Sequence, residues 1–296
     1  MSSFFSYRPQ DLSLIPTRAV DSNKGTFGRV LVVGGALGMS GAAYFSAKAA
    51  YRSGAGLVNL LTHEGNRVIL QTMLPEAVLT TYGDHISEWE DAVKAAVLRA
   101  DVIVVGVGFG QSDEAKKLLR IVLSCADVPL VIDADALNLL SVHEELWDII
   151  SAPVIITPHP LEMARLCHVD VSVIERDRFR AAENFAEKYA LVCVLKGHKT
   201  VVCDGSEAQG YGDRNTLYLN QSGNSGMATG GSGDVLTGVI AALIAQKMTP
   251  FEAATLGVYI HGLAGDAAAE ALGEYSVMAS DIIDHIPEIL KDCHEE

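Results

Sequence analysis

Residues 229–238 read TGGSGDVLTG: three glycines around a serine, then an aspartate, then an apolar run. Glycine-rich turns that open helices hold phosphates, because bare backbone N–H groups and the helix dipole point at the anion. This turn lacks the lysine of a P-loop, and Asp234 stands where a phosphate would be repelled. Nineteen residues, 215–233, carry no formal charge before Asp234 appears. An aspartate at a helix start can simply cap the helix by accepting backbone N–H bonds, and this feature alone leaves capping and chemistry both open. The chemical reading is phosphoryl transfer. The amides of Gly231 and Gly233 hold the transferring group, while Asp234 takes the proton from an attacking hydroxyl.

Other polar groups close short apolar runs: DADALN (133–138), TPHPLE (157–162) and LKGHKT (195–200). His159 stands between two prolines, so its backbone is restricted; structural and ligand-contacting roles are both open to it. Read alone, LKGHKT is equally a plain strand–turn–strand. GVGFG (106–110) has the wrong spacing for a dinucleotide fingerprint and is balanced between a tight turn and a ligand contact. The chain has no G-x-x-x-x-G-K-[ST], no H-E-x-x-H, no G-x-S-x-G and no Cys/His cluster with zinc spacing.

These groups need elements to hold them. RVLVVGG (29–35), DVIVVGVG (101–108), VPLVIDAD (128–135), APVIITPHP (152–160) and ALVCVLKG (190–197) are Val- and Ile-rich and end in Gly, Asp or Pro. Runs apolar on both faces suit parallel strands covered by helices. Helical patterns lie between and after them at 40–56, 173–190, 234–246 and 250–272, whereas 200–220 reads as short antiparallel strands joined by turns. Strand–helix alternation predicts a three-layer α/β/α sandwich with a mostly parallel central sheet. Residues 1–23 are expected to form a polar arm and 24–296 a single domain. Ligands of such sheets sit outside the carboxyl ends of the strands, which is where the polar punctuation falls.

The 296 residues are 49% hydrophobic and carry a formal net charge of −15, which argues against nucleic-acid or anionic-membrane partners. A phosphate site must therefore be built locally from amides, a few cations and a metal. Five cysteines with no C-x-x-C pair fit buried thiols in a reducing compartment. The N-terminus lacks a secretory pattern, and no apolar run reaches the roughly 18 residues of a membrane helix, so a soluble, cytoplasmic protein is expected.

GGSGDVLTG resembles the glycine–aspartate signature of the ribokinase-like superfamily, in which the turn forms an anion hole and the aspartate is the base. More narrowly, the chain resembles the ADP-dependent NAD(P)H-hydrate dehydratases. The shared motifs are KGTFG (24–28), DADALN (133–138), TPHPxE (157–162), LKGxxT (195–200), GNxGMATGG (223–231) and HGxAGD (261–266), in family order. It departs from the family at Val107, Leu161 and Gln221. Many members carry an N-terminal epimerase domain, which the leading residues are too few to contain; a standalone dehydratase domain is expected.

The resemblance implies dehydration of the S-epimer of hydrated NADH or NADPH, driven by ADP conversion to AMP and phosphate through a phosphorylated intermediate. It implies Asp234, Gly231 and Gly233 as the catalytic group. Lys196, Gly197, His198, Lys199, Thr200 and Gly233 would bind AMP or ADP. Ala42, Ala43, Gly106, Gly108, His159 and Asp234 would bind the hydrated dinucleotide, and Glu162 would order magnesium-bound water. Mg2+ with ADP as co-substrate, a homotetramer and a separate epimerase are implied likewise. Asp133 and Asp135 either support the site or cap the turn after them. The alternative is a small-molecule kinase of the same superfamily, which releases a stable phosphate ester; a non-catalytic nucleotide binder would have no use for Asp234.

Overall fold

The computed structural model describes residues 4–206, 217–291 and 293. Its nine strands are β1 (Arg29–Val33), β2 (Leu57–His63), β3 (Val78–Tyr82), β4 (Val102–Val105), β5 (Leu130–Ile132), β6 (Val154–Ile156), β7 (Val192–Leu195), β8 (Val201–Asp204) and β9 (Leu217–Leu219). They form one sheet in the order β3-β2-β1-β4-β5-β6-β7-β8-β9, parallel through β7 and antiparallel at β7–β8 and β8–β9. All five apolar runs expected as strands are strands. The antiparallel patch expected at 200–220 is present as β8 and β9; the turns expected at 207–216 lie outside the described residues.

The helices are α1 (Ser40–Arg52), α2 (Arg67–Met73), α3 (Glu90–Val97), α4 (Asp113–Cys125), α5 (Ala134–Val142), α6 (Pro160–Cys167), α7 (Val171–Arg176), α8 (Arg178–Tyr189), α9 (Ser232–Ala245), α10 (Pro250–Leu272) and α11 (Ala279–Lys291). Alternate strand residues face opposite layers, as the two-residue period of a strand requires. Val30, Val32, Val104 and Val194 pack under α1, α9, α10 and α11, while Leu31, Val33, Ile103 and Leu195 pack under α4, α5 and α8. This is the expected α/β/α sandwich.

Two differences have local causes. The amphipathic stretch 173–190 is two helices, because Asp177 takes a non-helical conformation (φ −149°, ψ 82°) and caps α8 by accepting the Arg180 N–H. β2 and β3 were not expected. Asn59 and Thr62 interrupt the apolar run of β2, and β3 is an edge strand that buries only its last residues well.

Phe5, in the stretch before β1, pairs in parallel with β9. The Phe5 N–H donates to the Leu217 carbonyl, the Leu219 N–H donates to the Phe5 carbonyl, and Tyr7 Oη lies 3.0 Å from Thr255 Oγ1. An edge strand that would otherwise offer unpaired backbone groups is thereby covered.

Candidate active site

The strand order reverses between β1 and β4, and the chain ends of β5, β6 and β7 lie to one side of that switch point. Over those three ends opens a cleft of about 950 Å³, closed from above by the start of α9 and the loop that precedes it. Asp133 follows β5, His159 and Glu162 follow β6, and Lys196 follows β7. The cleft brings together Asp234, Gly231, Gly233, Lys196, Gly197, His198, Lys199, Thr200, His159 and Glu162, all singled out in the sequence.

The glycine turn works by shape. Gly231 is the N-cap of α9 at φ 92°, a left-handed conformation that side chains resist, and a Cβ there would strike the Phe45 ring of α1. Gly233 lets the helix start press against charge: a Cβ on it would sit 3.2 Å from Lys196 Nζ and 3.5 Å from Asp133 Oδ2. The helix begins at Ser232, two residues before the expected start, so Asp234 is the third helical residue and not the cap. Among the described residues its carboxylate accepts no hydrogen bond. The capping explanation for Asp234 therefore fails, and the carboxylate is left facing the cleft.

Lys196 is the hub of the charged wall. Its Nζ donates to Asp133 Oδ1 at 2.7 Å and lies 4.0 Å from Glu162 Oε2. Burial works to lower the lysine pKa, yet Asp133, Glu162 and Asp234 together hold it above its ordinary value. Lys196 in turn lowers the pKa of Asp234 and Glu162, but burial and the neighbouring acids outweigh it. Burial, followed by the field of Asp133, pushes Asp234 up to about 7. Burial likewise raises Glu162, against the pull of Lys196.

His159 and Glu162 also do structural work. His159 is the N-cap of α6: its Nδ1 accepts the Glu162 N–H at 3.2 Å, and Glu162 Oε2 accepts the His159 N–H at 2.8 Å. This capping box follows from Pro160 at the first helical position and an acid two residues on. His159 Nε2 lies 3.3 Å from Glu162 Oε1, the side chain is 45% exposed to the cleft, and burial with the Lys196 charge lowers its pKa.

The remaining expected residues are placed elsewhere. Gly106 and Gly108 lie in the turn after β4, at the switch point, with Gly108 packed on the Ala42 side chain and Gly106 on the Asp133 backbone. Ala43 is fully buried beneath Gly35. None of these four lines the cleft above β5–β7; Gly231 against Phe45 is where the two regions meet. Asp135 is tied to this second region, accepting the Gly110 N–H at 2.8 Å and the Gln111 amide at 3.0 Å. Of the departures, Val107 is buried, Leu161 is exposed on α6 and Gln221 lines the cleft.

Sequence reading missed the support behind the uncharged loop. The Gly223 N–H donates to Asp266 Oδ2 at 2.8 Å, and the Asn224 amide donates to Asp266 Oδ1 and the Gly265 carbonyl. Ser222 Oγ donates to the Tyr259 carbonyl, and the Asn220 N–H to the Thr200 carbonyl. His261, buried and with its pKa lowered by desolvation to about 4, is neutral and stands 3.3 Å from Ser232 Oγ. The HGLAGD motif (261–266) was the available signal; what it grips became visible only in three dimensions.

The sheet, its closing antiparallel pair and the glycine turn over Asp234 define an α/β protein of the ribokinase-like class. A family profile described as NAD(P)H-hydrate dehydratase matches residues 30–288, and the chain belongs to that family. It is 43% identical over 276 residues to the bifunctional NAD(P)H-hydrate repair enzyme Nnr of Coxiella burnetii, covering 92% of this chain and 52% of the relative. The chain thus spans about half the length of such bifunctional relatives. It is 39% identical over 259 residues to the ADP-dependent (S)-NAD(P)H-hydrate dehydratase of Neisseria meningitidis, covering 86% and 82%. Among solved structures, the ADP/ATP-dependent NAD(P)H-hydrate dehydratase of Bacillus subtilis, co-crystallized with ATP/Mg2+, superposes with a TM-score of 0.82 at 28% identity over 99% of both chains.

Proposed function

We propose that this protein dehydrates the S-epimer of hydrated NADH or NADPH back to NAD(P)H, converting ADP to AMP and phosphate. The observation that carries the reading is the Asp234 carboxylate: unpartnered, raised towards neutrality and set one residue beyond the glycine that touches the Lys196–Asp133 pair.

Hydrated NADH carries a hydroxyl on C6 of its nicotinamide ring, and hydroxide is a poor leaving group. Asp234 takes the proton of that hydroxyl as its oxygen attacks the β-phosphorus of ADP and the bond to AMP breaks. The α9 turn offers backbone N–H groups to the phosphoryl oxygens. The ring nitrogen's lone pair then expels the phosphate, and loss of the C5 proton restores the ring double bond. A carboxylate with a pKa near 7 suits proton transfer at neutral pH.

Magnesium suits these residues. Asp133, Glu162 and Asp234 crowd negative charge around the one Lys196, and a diphosphate adds more, so a divalent cation relieves the repulsion. Among the described residues no group of three or more His, Cys, Asp or Glu forms a cage, as fits an ion carried mainly by phosphates and water. Glu162 would hold that water, and the ion would neutralise phosphate charge when bound.

In this reading Lys196, Gly197, His198, Lys199 and Thr200 take the nucleotide, and Ala42, Gly106, Gly108 and His159 border the dinucleotide. Fully buried Ala43 supports that border from beneath. A homotetramer, a separate epimerase and a cytoplasmic setting belong to the same reading. No helix among the described residues is long and apolar enough to cross a membrane.

The test is incubation with hydrated NADH, ADP and Mg2+ while the NADH absorbance band is followed. Growth of the band that requires ADP and releases phosphate is expected. A stable phosphorylated product without NADH would move the assignment to the small-molecule kinase, which the family membership does not favour.

A further inference from the structure

The turn at residues 196–200 joins two antiparallel strands, β7 and β8, and is bent by left-handed conformations at Lys199 (φ 57°) and Gly197 (φ 146°). Such a turn has to be held. Thr200 Oγ1 donates to the Gly197 carbonyl at 3.1 Å, and the Lys196 N–H donates to the Pro158 carbonyl at 2.8 Å. The remaining hold comes from outside the turn. Arg178, the first residue of α8, donates through Nη1 to the His198 carbonyl at 2.6 Å and through Nη2 to the Leu195 carbonyl at 2.9 Å. Its guanidinium lies flat enough against Gly197 that a Cβ there would stand 3.1–3.4 Å from three of its atoms.

The position is unfavourable for a cation. Arg178 sits at a helix N-terminus, where the dipole disfavours positive charge. Its Nε is buried with no partner, and among the described residues no carboxylate pairs with it. Desolvation lowers its pKa accordingly. A structural clamp could be built at less cost from neutral donors. The exposed alternative, with Arg178 continuing an uninterrupted 173–190 helix, is prevented by the break at Asp177.

The turn lines the cleft, and the N–H groups of Gly197, His198 and Lys199 find no acceptor among the described residues. We propose that Arg178 is a positioning residue for nucleotide binding: it draws the carbonyls of Leu195 and His198 backwards, so that the amides of the turn face forward as a preformed cradle for the phosphate of ADP. Its unpaired charge adds to the field that attracts that anion. The assignment rests on the nucleotide reading of residues 196–200.

The experiment is calorimetric titration of wild type, Arg178→Lys and Arg178→Gln with ADP and Mg2+ and, separately, with NADPH. A lysine keeps the charge, but its three donors radiate from one nitrogen and do not reproduce the fork by which Nη1 and Nη2 reach two carbonyls. The ADP dissociation constant is expected to rise about tenfold or more in Arg178→Gln and less in Arg178→Lys, with that for NADPH changed by less than about twofold. In turnover the loss should fall on KM for ADP, with kcat nearly preserved at saturation. Guanidinium ion added to Arg178→Ala should recover part of the ADP affinity, which a role in stability alone would not produce. Unchanged ADP affinity in both variants, or equal weakening for ADP and NADPH, overturns the assignment. A wild type that binds ADP but regenerates no NADH sinks the proposed reaction while leaving Arg178 testable by binding; a wild type blind to ADP sinks both.

Discussion

The cleft has two walls built on opposite plans. On the strand side, Asp133, Glu162 and Lys196 meet as side chains, with their charges held together by direct contact. On the loop side, residues 220–231 bring no charged side chain at all, and the loop is gripped from behind by Asp266 through the Gly223 N–H and the Asn224 amide. One wall supplies field and the other supplies backbone shape. A phosphoryl-transfer site needs both, because charge must be neutralised where the phosphate rests while the attacking and leaving oxygens are kept in line. Asp234 stands at the junction, close enough to feel Asp133 and Lys196 but rooted in the neutral turn.

The sharpest way to break this picture is to remove the charge at the junction. Asp234→Asn is expected to keep the fold and ADP binding and to lose turnover by on the order of 10² or more, the scale of a general base. In the wild type, kcat/KM should rise with pH through about 7 as Asp234 loses its proton. The stability consequence has the opposite sense. Because folding raises this pKa, the protonated form is favoured in the folded state, and stability falls as pH rises from about 4 through about 7. Asp234→Asn escapes that loss, so its Tm should exceed the wild type's at pH 8 and match it near pH 4. Near-wild-type turnover in the variant would mean that Asp234 is not the base, and no gain in Tm at pH 8 would mean that folding does not crowd its carboxylate.

Lys196→Met tests the charged wall alone. ADP affinity is expected to fall roughly 10- to 100-fold, the scale of a lost charge-assisted contact, with NADPH affinity nearly constant. It also leaves Asp133, only 2% exposed in its side chain, without its cation, and breaking such a pair costs about 3–5 kcal/mol. The double variant Lys196→Met/Asp133→Asn should recover much of that stability by thermal melt, but none of the ADP affinity. Recovery of both would show that the pair acts only in folding.

How far these walls were readable from sequence follows from how each is made. The strand ends were legible because a parallel strand buried on both faces is a run of Val and Ile that stops at a polar residue, and Asp133, His159 and Lys196 are such stops. Their pairing was not legible, since Asp133 and Lys196 are 63 residues apart and meet only through the order of β5, β6 and β7. The neutral wall was visible as an uncharged stretch and its anchor Asp266 as the end of the HGLAGD motif, but that the two meet across 43 residues was not. Arg178 was hidden by the same ambiguity, a charge at the edge of an amphipathic pattern that the break at Asp177 turns inward. β2 escaped because two polar residues, Asn59 and Thr62, disturb its run for reasons of local hydrogen bonding.

The smallest expected effect belongs to His159, and it asks whether that residue serves the charged wall or the ligand. His159 caps α6 through Nδ1, so truncation costs stability whatever else it does, about 0.5–2 kcal/mol for a lost N-cap. His159→Ala alone therefore cannot separate the roles. Asparagine is a good N-cap whose side-chain oxygen can accept the Glu162 N–H, but it is too short to reproduce Nε2 on the cleft side. His159→Asn should then keep Tm close to wild type while KM for hydrated NADPH rises up to roughly tenfold, the scale of one lost hydrogen bond. KM for ADP should stay nearly constant, because Lys196 and the turn after it are untouched. The alanine variant should show the same rise in KM together with the lower Tm. If asparagine restored both stability and KM, the imidazole would be no more than a cap, and the dinucleotide would be held by the neutral surfaces around Ala42 and Gly108 without it.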